Sequence, residues 1–382
     1  MVYEPAEDTE LLARNVQKLA YGKTLDMGSG NGIQAQAALL RTKEVTCVDV
    51  DPDAVSHLKK KFGKSAIVVR SDLFSNIKGT YDTIIFNPPY LPQDPGITDI
   101  QIYGGKRGNE IILRFIAQMG EHMAVDGQAL LLWSSLSHPV EIERALHENL
   151  YTFEKIDATH VAFEDLYVFR ITKSSSRKRI ETVGVSSLAC LAKGKRGMVL
   201  SGTYRRKRVV VKVPNPDSFA RMTVAKETQM LGKANSAGIG PRSLYSCADF
   251  LVMDFVDGKR ILEYTEECSK TQASKMIINV LKQCQALDKI GIDKEEMHHP
   301  RKHIIVTASG AVMIDFERAH FNRTPKNVTQ FVQFLAGPMK DRLSLLGIKI
   351  DPARIREIGA EYKRDGDTSR LISYLRQSKS DK

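Results

Sequence analysis

The chain has 382 residues, more than one hydrophobic core usually holds, so we expect two or three domains. Hydrophobic residues make up 42% and charged residues 26%, with only 14 prolines, which excludes a wholly disordered, collagen-like or coiled-coil protein. The net charge of +11 is uneven: residues 1–173 hold 18 Lys and Arg against 23 Asp and Glu, a balance of −5, and residues 174–382 hold 38 against 22, a balance of +16. A basic half attracts polyanions, so contact between residues 174–382 and RNA or the ribosome is a hypothesis.

The apolar runs, the first ten residues and the cysteines bear on where the protein is located. No apolar run approaches the ~20 residues that cross a bilayer, and the first ten residues have no basic or apolar leader, so we expect neither a membrane segment nor a signal peptide. The five cysteines are odd in number and form no CxxC pair, which predicts reduced thiols and a cytoplasmic protein.

A serine run followed by a charge run, KSSSRKR at 173–179, predicts a linker at 174–180 between a domain at 1–173 and one at 181–382. Before the linker, short apolar or β-branched runs alternate with helix-like stretches, which predicts a doubly wound α/β sheet. These runs are 24–27, 45–50, 66–69, 83–86, 129–133 and 166–171. After the linker, strand signals at 197–201 and 208–213, a helical stretch at 225–234 and helical periodicity from Thr271 predict an α+β domain, a small sheet lobe followed by a helical lobe.

A glycine-rich segment, LDMGSGNG at 25–32, follows the first run and precedes the helical stretch 33–40. Glycine lets the backbone approach a ligand, and the helix N-terminus supplies free N–H groups. Asp49 ends the next run, 21 residues after Gly28, where an acidic side chain meets a ribose diol. Asp72 follows the third run and is placed to accept a hydrogen bond from an adenine amine. The three features predict a nucleoside site at the carboxyl ends of successive strands.

The segment YDTIIFNPPY at 81–90 carries the predicted chemistry. Two successive prolines cannot belong to a central strand, so the chain leaves the sheet after Phe86 and Asn87 is fixed at the strand tip. The Asn87 side-chain oxygen and the Pro88 carbonyl can each accept one N–H of a planar amide or amino group, which turns the nitrogen lone pair toward an electrophile. Tyr90 can stack on a planar substrate.

Together with YEPAEDT at 3–9 and GGKRGNEI at 104–111, these segments resemble the HemK-type S-adenosylmethionine-dependent protein-glutamine methyltransferases, in their short archaeal and eukaryotic branch. The resemblance implies a class I, Rossmann-like methyltransferase sheet and S-adenosylmethionine as cofactor. It further implies a release factor with a Gly-Gly-Gln motif as substrate, and a small zinc-binding activator subunit as partner. The implied contacts are Asp26 and the loop of Gly28, Gly30 and Gly32 with the methionine part, Asp49 with the ribose, Asp72 and Leu73 with the adenine, Asn87 and Pro88 with the acceptor nitrogen, and Thr9 with the cavity wall.

Adenine-N6 methylation of RNA or DNA is the alternative, because an exocyclic amine presents the same pair of N–H donors to NPPY. Such an enzyme must extract a base and grip the flanking phosphates. Residues 1–173 carry a balance of −5, which favours protein glutamine. The basic second half keeps the alternative open.

The second half contains a buried-lysine pattern. Lys212 stands inside the hydrophobic run 209–213 and needs an anionic partner, for which Glu227 on the stretch 225–231 is the candidate. This pairing and Asp315, in the segment VMIDFE at 312–317, resemble the ATP-binding lysine, the helix glutamate and the Mg²⁺-binding aspartate of kinases. Over residues 185–335 the chain resembles the small RIO-like atypical Ser/Thr kinases, which implies ATP and Mg²⁺ as cofactors.

The catalytic loop departs from that family. GIDKEEMHHPRKH at 291–303 has no HRD or HGD, and His303 or Lys302 occupies the position of the metal-binding asparagine. Glu296 or Asp293 is then the carboxylate that orients a hydroxyl, and we favour Glu296. A nucleotide-binding pseudokinase is the alternative. Pro300 interrupts the spacing of the nearby histidines, so a structural loop is favoured over a zinc site. The basic cluster 205–208 is expected at a hairpin turn, where contact with RNA is a further hypothesis.

Overall fold

The computed structural model describes residues 6–93, 103–215 and 221–377, although not the side chains of 221–223. Residues 3–5 of the YEPAEDT segment therefore lie outside the described residues. Contacts divide the chain into two compact units, residues 1–193 with 202–206 and residues 194–201 with 207–382. The first unit thus extends past the predicted boundary at 173.

The first unit alternates strands with helices. Its elements are α1 (Glu7–Leu19), β1 (Thr24–Met27), α2 (Ile33–Leu39), β2 (Val45–Asp49), α3 (Pro52–Phe62), β3 (Ile67–Arg70), β4 (Tyr81–Phe86), α4 (Glu110–His122), β5 (Met123–Ser134), α5 (Pro139–Glu148), β6 (Tyr151–Val161), β7 (Glu164–Lys173), α6 (Ser175–Thr182) and β8 (Val185–Lys193).

Strands β1 to β7 form one sheet in the order β3-β2-β1-β4-β5-β7-β6. The first five are parallel, and β7 pairs antiparallel with both β5 and β6. Every residue of β1 and β2 is buried, as expected for parallel strands covered on both faces. The doubly wound α/β prediction for this unit is confirmed. Strand β6 was not predicted, because most of its residues are exposed or half-buried and it carries no apolar run.

The predicted linker is a packed helix. Residues 174–180 lie almost entirely within α6, whose N-cap Ser174 accepts a hydrogen bond from the backbone N–H of Arg177. Lys173 and Arg177 are buried, and both donate to Glu181, at 2.6 and 2.8 Å. Serine and basic residues suggested a solvated segment, but here the cations are buried against one carboxylate.

The remaining elements begin with strands and end with helices. They are β9 (Gly197–Tyr204), β10 (Lys207–Pro214), α7 (Arg221–Ser236), β11 (Ser243–Ser246), β12 (Leu251–Asp254), β13 (Lys259–Arg260), α8 (Ile261–Glu267), α9 (Lys270–Lys289), β14 (Ile292–Asp293), a 3₁₀ turn (Pro300–Lys302), β15 (Ile304–Thr307), β16 (Gly310–Met313), β17 (His320–Phe321), α10 (Asn327–Ala336), α11 (Lys340–Leu345), α12 (Pro352–Asp365) and α13 (Ser369–Gln377).

In the second unit, the sheet has the order β11-β12-β10-β9, and β12 is antiparallel to both β10 and β11. The helices from α9 onward share one buried core with α7 and the β15–β16 hairpin. The basic cluster 205–208 begins at the turn after β9, where Arg205 and Arg206 have φ of 50° and 64°. Among the described residues, no helix is long and apolar enough to cross a membrane. All five cysteines are free thiols.

Candidate functional site

A cavity of about 510 Å³ opens at the carboxyl ends of the first unit's parallel strands. Open α/β sheets bind ligands at this edge, and the volume lies within the range of small-molecule sites. Nine of the predicted residues line it: Thr9, Gly28, Gly30, Asp49, Asp72, Leu73, Asn87, Pro88 and Tyr90. The motifs separated along the chain are therefore brought to one place.

The glycine loop presents its backbone to this cavity. Gly28 and Gly30 have φ of 63° and 51°, in the left-handed region that favours glycine. The Gly30 N–H donates to Asp49 Oδ2 at 2.8 Å, and the Asp51 N–H donates to Asp49 Oδ1 at 2.9 Å. Both Asp49 oxygens are thus held by backbone groups, and each keeps a further lone pair for a ligand hydroxyl.

Asp26 and Gly32 do not line the cavity, contrary to the predicted contact with the methionine part. Asp26 is 1% exposed, and its Oδ2 accepts from the Ala35 N–H at 3.0 Å. Burial raises the pKa of Asp26 to about 7. A Cβ on Gly32 would lie 2.6 Å from the Phe62 ring, so this glycine permits close packing of α2 on α3. Both residues therefore stabilise the glycine loop and the start of α2 and do not form the cavity wall.

Asp72 has a partner that the sequence did not reveal. Arg114 on α4 donates to its Oδ2 at 2.7 Å, and both side chains are about half exposed. Arg114 also lines the cavity, as does the buried Leu73. The carboxylate predicted to accept from adenine is therefore shared with a guanidinium.

Asn87 extends from the end of β4 into the cavity. Its Nδ2 donates to Asp8 Oδ2 at 2.9 Å. Its Oδ1 is buried and has no hydrogen-bond partner among the described residues. Asp8 is 4% exposed and was not predicted as a site residue, although it precedes Thr9 in the YEPAEDT segment. An orphaned acceptor at this position is ready to receive an N–H from a ligand.

The turn after Asn87 is held by the GGKRGNEI segment. A Cβ on Gly104 would lie 2.4 Å from the Pro89 carbonyl oxygen, and one on Gly108 2.4 Å from that of Tyr90. The Tyr90 carbonyl also accepts from Ser137 Oγ at 3.0 Å. These contacts explain the glycines of that segment and fix the backbone that carries Pro88 and Tyr90.

A second orphaned acceptor lines the same cavity. Gln34, in the first turn of α2, donates from Nε2 to the Thr9 carbonyl oxygen at 2.9 Å, and its buried Oε1 has no partner among the described residues. Sequence reasoning missed Gln34, because no motif marks it. The glycine loop, the fixed Asp49 carboxylate and two unfilled acceptors fit S-adenosylmethionine, which carries hydroxyl and N–H donors along its length.

The second unit gathers its predicted residues around Asp315. Lys212 on β10 lies 2.6 Å from Glu227 Oε1 on α7 and 3.1 Å from Asp315 Oδ1. Burial opposes its charge, but the two carboxylates raise the pKa of Lys212. The N–H of Phe316 also donates to Glu227, at 3.1 Å. Asp315 has a φ of 63°, a strained conformation that often occurs at functional sites.

Glu296 and His303 join this cluster. His303 Nε2 is 3.2 Å from Glu296 Oε2, and its Nδ1 is 3.6 Å from Asp315 Oδ2. Glu296 also pairs with Arg318. Asp293, the other carboxylate considered, is buried and accepts from Asn322 Nδ2 at 3.2 Å.

Lys294 was not predicted to belong to the cluster. Its Nζ donates to the Asp315 carbonyl oxygen at 2.8 Å, and burial lowers the pKa of Lys294 to about 8.

The Mg²⁺ prediction finds little support in this donor set. Asp315 is paired with Lys212 and His303, and in the described part of the chain no three His, Cys, Asp or Glu side chains are grouped to hold a metal ion.

Comparison with known proteins identifies the first unit. Residues 5–161 match the family model "Methyltransferase small domain". A putative protein N5-glutamine methyltransferase of Methanocaldococcus jannaschii is 35% identical over 176 residues, 44% of this chain and 89% of that protein. A release factor glutamine methyltransferase of Deinococcus radiodurans is 29% identical over 146 residues, 34% of this chain and 52% of that protein.

A solved structure is also similar. The Mtq2–Trm112 complex of E. cuniculi, described as responsible for methylating the eRF1 termination factor, contains a chain 28% identical to this one, with a TM-score of 0.39 over 45% of this chain and 99% of that chain. With 35% identity across nearly the whole length of the archaeal relative, the chain belongs, through its first unit, to the HemK-type family of S-adenosylmethionine-dependent methyltransferases.

Proposed function

We propose that the first unit transfers a methyl group from S-adenosylmethionine to the side-chain amide nitrogen of a protein glutamine, in a translation release factor with a Gly-Gly-Gln motif. The observation that carries this proposal is the buried, unfilled Oδ1 of Asn87 at the cavity wall. The archaeal and bacterial relatives are named as glutamine methyltransferases, which supports glutamine as the acceptor. Because release factors act in translation, we place the reaction in the cytoplasm.

The chain's own residues bind and orient the acceptor. Asn87 Oδ1 accepts one N–H of the substrate carboxamide, and the Pro88 carbonyl accepts the other. An amide nitrogen is a poor nucleophile because its lone pair is conjugated, so holding both N–H groups directs that lone pair toward the methyl donor. S-adenosylmethionine, when bound, supplies an electrophilic methyl group. No strong base is needed for the attack, because S-adenosylhomocysteine is a good leaving group and the amide proton can be lost after the methyl group has been transferred. The described cavity offers no base beside Asn87 except Asp8, which already accepts from Asn87 and Thr9.

Cofactor binding is assigned to the other wall of the cavity. The Asp49 carboxylate, fixed by the Gly30 and Asp51 N–H groups, accepts from the ribose hydroxyls. Asp72 and Leu73 contact the adenine, with Arg114 holding Asp72 in place. Thr9 lines the methionine end, and Asp26 with Gly32 supports the loop rather than contacting the cofactor.

The test uses the purified chain with isotope-labelled S-adenosylmethionine and a recombinant release factor. We expect a mass increase of one methyl group on the glutamine of Gly-Gly-Gln, and none on a release factor whose glutamine is replaced. Asn87→Ala, which removes the acceptor, is expected to lower kcat by ~100-fold or more. Label that appears in RNA or DNA and not in the release factor would instead establish adenine methylation.

A small zinc-binding protein is proposed as an activating partner. The edge strand β3 pairs only with β2 in the part of the chain that the structure describes, and Ile67 on it is 64% exposed. An open sheet edge can accept a strand from another protein. Co-expression with a candidate partner should increase methyl transfer, and Ile67→Lys should weaken co-purification.

We further propose that the second unit binds ATP and acts as an atypical Ser/Thr kinase. The Lys212–Glu227 ion pair, on a sheet strand and a helix, supports this candidate, since kinases hold nucleotide phosphates with such a pair. Asp315 and Glu296 are the candidate catalytic carboxylates. Incubation with labelled ATP and Mg²⁺ should label the chain, and Asp315→Ala should remove that label. Nucleotide binding without any transfer would establish the pseudokinase alternative.

A further inference from the structure

Gln34 stands out among the residues that line the first unit's cavity. It lies in the first turn of α2 and is 5% exposed. Its Nε2 donates to the Thr9 carbonyl oxygen at 2.9 Å, while its buried Oε1 has no hydrogen-bond partner among the described residues. Nothing in the proposed transfer of the methyl group uses this side chain.

The orientation of the Gln34 amide is fixed by its partner. A backbone carbonyl only accepts hydrogen bonds, so the NH₂ group, and not the oxygen, must face Thr9. The oxygen is then held in a buried position without a donor. Leaving a buried acceptor unfilled lowers stability, so such groups normally receive a donor from protein, water or a ligand.

Gln34 belongs to a chain of hydrogen bonds along the cavity wall. Gln34 donates to the Thr9 carbonyl, the Thr9 N–H donates to Asp8 Oδ1 at 2.6 Å, and Asn87 donates to Asp8 Oδ2. Both carboxamides turn their NH₂ groups toward the start of α1 and keep their oxygens unfilled. The Asp8 carboxylate places a negative charge in the same wall, which favours a cationic donor.

We propose that Gln34 Oε1 accepts a hydrogen bond from the α-ammonium group of S-adenosylmethionine. The ribose hydroxyls of the cofactor are assigned to Asp49, which leaves two N–H-bearing groups as donors, the adenine amine and this ammonium. The residues assigned to adenine follow β3, whereas Gln34 follows β1, two strands away and thus roughly 10 Å across the sheet. The ammonium is therefore the donor within reach of Gln34 and Asp8. This inference rests on the proposed function.

The test is a calorimetric comparison of two ligands, S-adenosylhomocysteine and its analogue lacking the amino group. The wild-type chain should bind S-adenosylhomocysteine ~10-fold more tightly than the desamino analogue, because the analogue cannot form the hydrogen bond from the ammonium to Gln34 Oε1. Gln34→Leu should lose ~10-fold in affinity for S-adenosylhomocysteine and bind the desamino analogue as the wild type does. Gln36→Leu, at an exposed position of the same helix, is the matched control and should bind both ligands normally.

Binding of the desamino analogue also shows that each variant is folded, and Gln34→Met, which is closer in shape, is measured in parallel. Equal affinity of the wild type and both Gln34 variants for S-adenosylhomocysteine overturns the inference alone. So does an equal loss for both ligands, which indicates a packing defect. Failure of the wild type to bind S-adenosylhomocysteine contradicts the proposed function and this inference with it.

Discussion

Asn87 Nδ2 donates a hydrogen bond to Asp8 Oδ2 at 2.9 Å, joining residues that are 79 positions apart in the sequence. A carboxylate can only accept, so Asp8 forces the Asn87 NH₂ group toward α1. The Asn87 oxygen is consequently turned away from Asp8, without a partner in the described part of the chain. The side chain proposed to bind the acceptor nitrogen is thus oriented by the first turn of α1.

Loss of this contact should reduce turnover more than cofactor binding. Asp8→Leu removes the acceptor and lets the Asn87 amide rotate, so we expect kcat to fall by ~100-fold, as for other misplaced reacting groups. Asp8→Asn keeps one acceptor oxygen and should lose less. The affinity for S-adenosylhomocysteine, measured by calorimetry, should fall less than kcat in both variants, by ~10-fold or less, because the Asp8 charge also favours the ammonium of the ligand. Glu10→Gln, exposed on the same helix, is the control, and an Asp8→Leu enzyme with wild-type kcat contradicts this role.

The cavity's position followed from local sequence, but its internal contacts did not. Short apolar runs ending in Asp49 and in Asn87-Pro88 mark strand ends, and parallel strands end at one edge, so these residues could be placed together in advance. The partners Asp8, Gln34 and Arg114 lie far from the motifs they contact. Only the packing of α1, α2 and α4 on the sheet brings them there.

Two predictions, the contact of Asp26 with the cofactor and the solvated linker at 174–180, differ from the structure for a common physical reason. Asp26 precedes the glycine loop, and its side chain points into the protein, where the Ala35 N–H binds it. Lys173 and Arg177 suggested a solvated linker, yet both are buried against Glu181. Burying a charged side chain is costly, so the sequence favours an exposed position for each of these residues. The hydrogen-bond or ion-pair partner that offsets this cost lies elsewhere in the chain and cannot be identified from the local sequence.

The buried Asp26 should make stability depend on pH. Its folded pKa of about 7 lies above the unfolded value of 3.8, so the folded chain binds more protons between those values. The free energy of unfolding attributable to Asp26 is therefore highest below pH ~4 and falls as pH rises toward 7, by up to ~1.4 kcal/mol per pH unit. Asp26→Asn should abolish that slope and be more stable than wild type at pH 8.

Trp133 makes the Asp26 measurement specific. It is the single tryptophan, fully buried in the first unit and stacked on Phe169 with ring centroids 3.8 Å apart. Urea unfolding followed by tryptophan fluorescence at pH 5 to 8 thus reports this unit. Parallel pH profiles for the wild type and Asp26→Asn contradict the prediction.

Lys212 should be required for nucleotide binding in the second unit. Lys212→Met removes the ammonium and leaves Glu227 buried without its cation, so we expect ATP affinity to fall by ~10-fold or more. Glu227→Gln should weaken binding less, because Asp315 still faces Lys212 at 3.1 Å. Lys207→Met, at an exposed position of the same strand, is the control, and fluorescence of a labelled ATP analogue gives the affinities. Equal affinities for Lys212→Met and wild type contradict a kinase-like site.

Glu181 should contribute to the stability of the first unit, because it is the shared partner of two buried cations. Lys173 and Arg177 have side chains only 4% and 3% exposed, and burial lowers the pKa of Lys173. Glu181→Gln removes the negative charge that both require, so we expect the free energy of unfolding to fall by ~3 kcal/mol, as when a buried ion pair loses one partner. Glu148→Gln is the control: its partner Arg144 is exposed and 3.9 Å away, so the loss of this pair should cost under ~1 kcal/mol. Both are measured by urea unfolding with Trp133 fluorescence. If the two variants unfold at the same urea concentration, residues 174–180 behave as the linker that their composition suggested, and α6 is not part of the first unit's core.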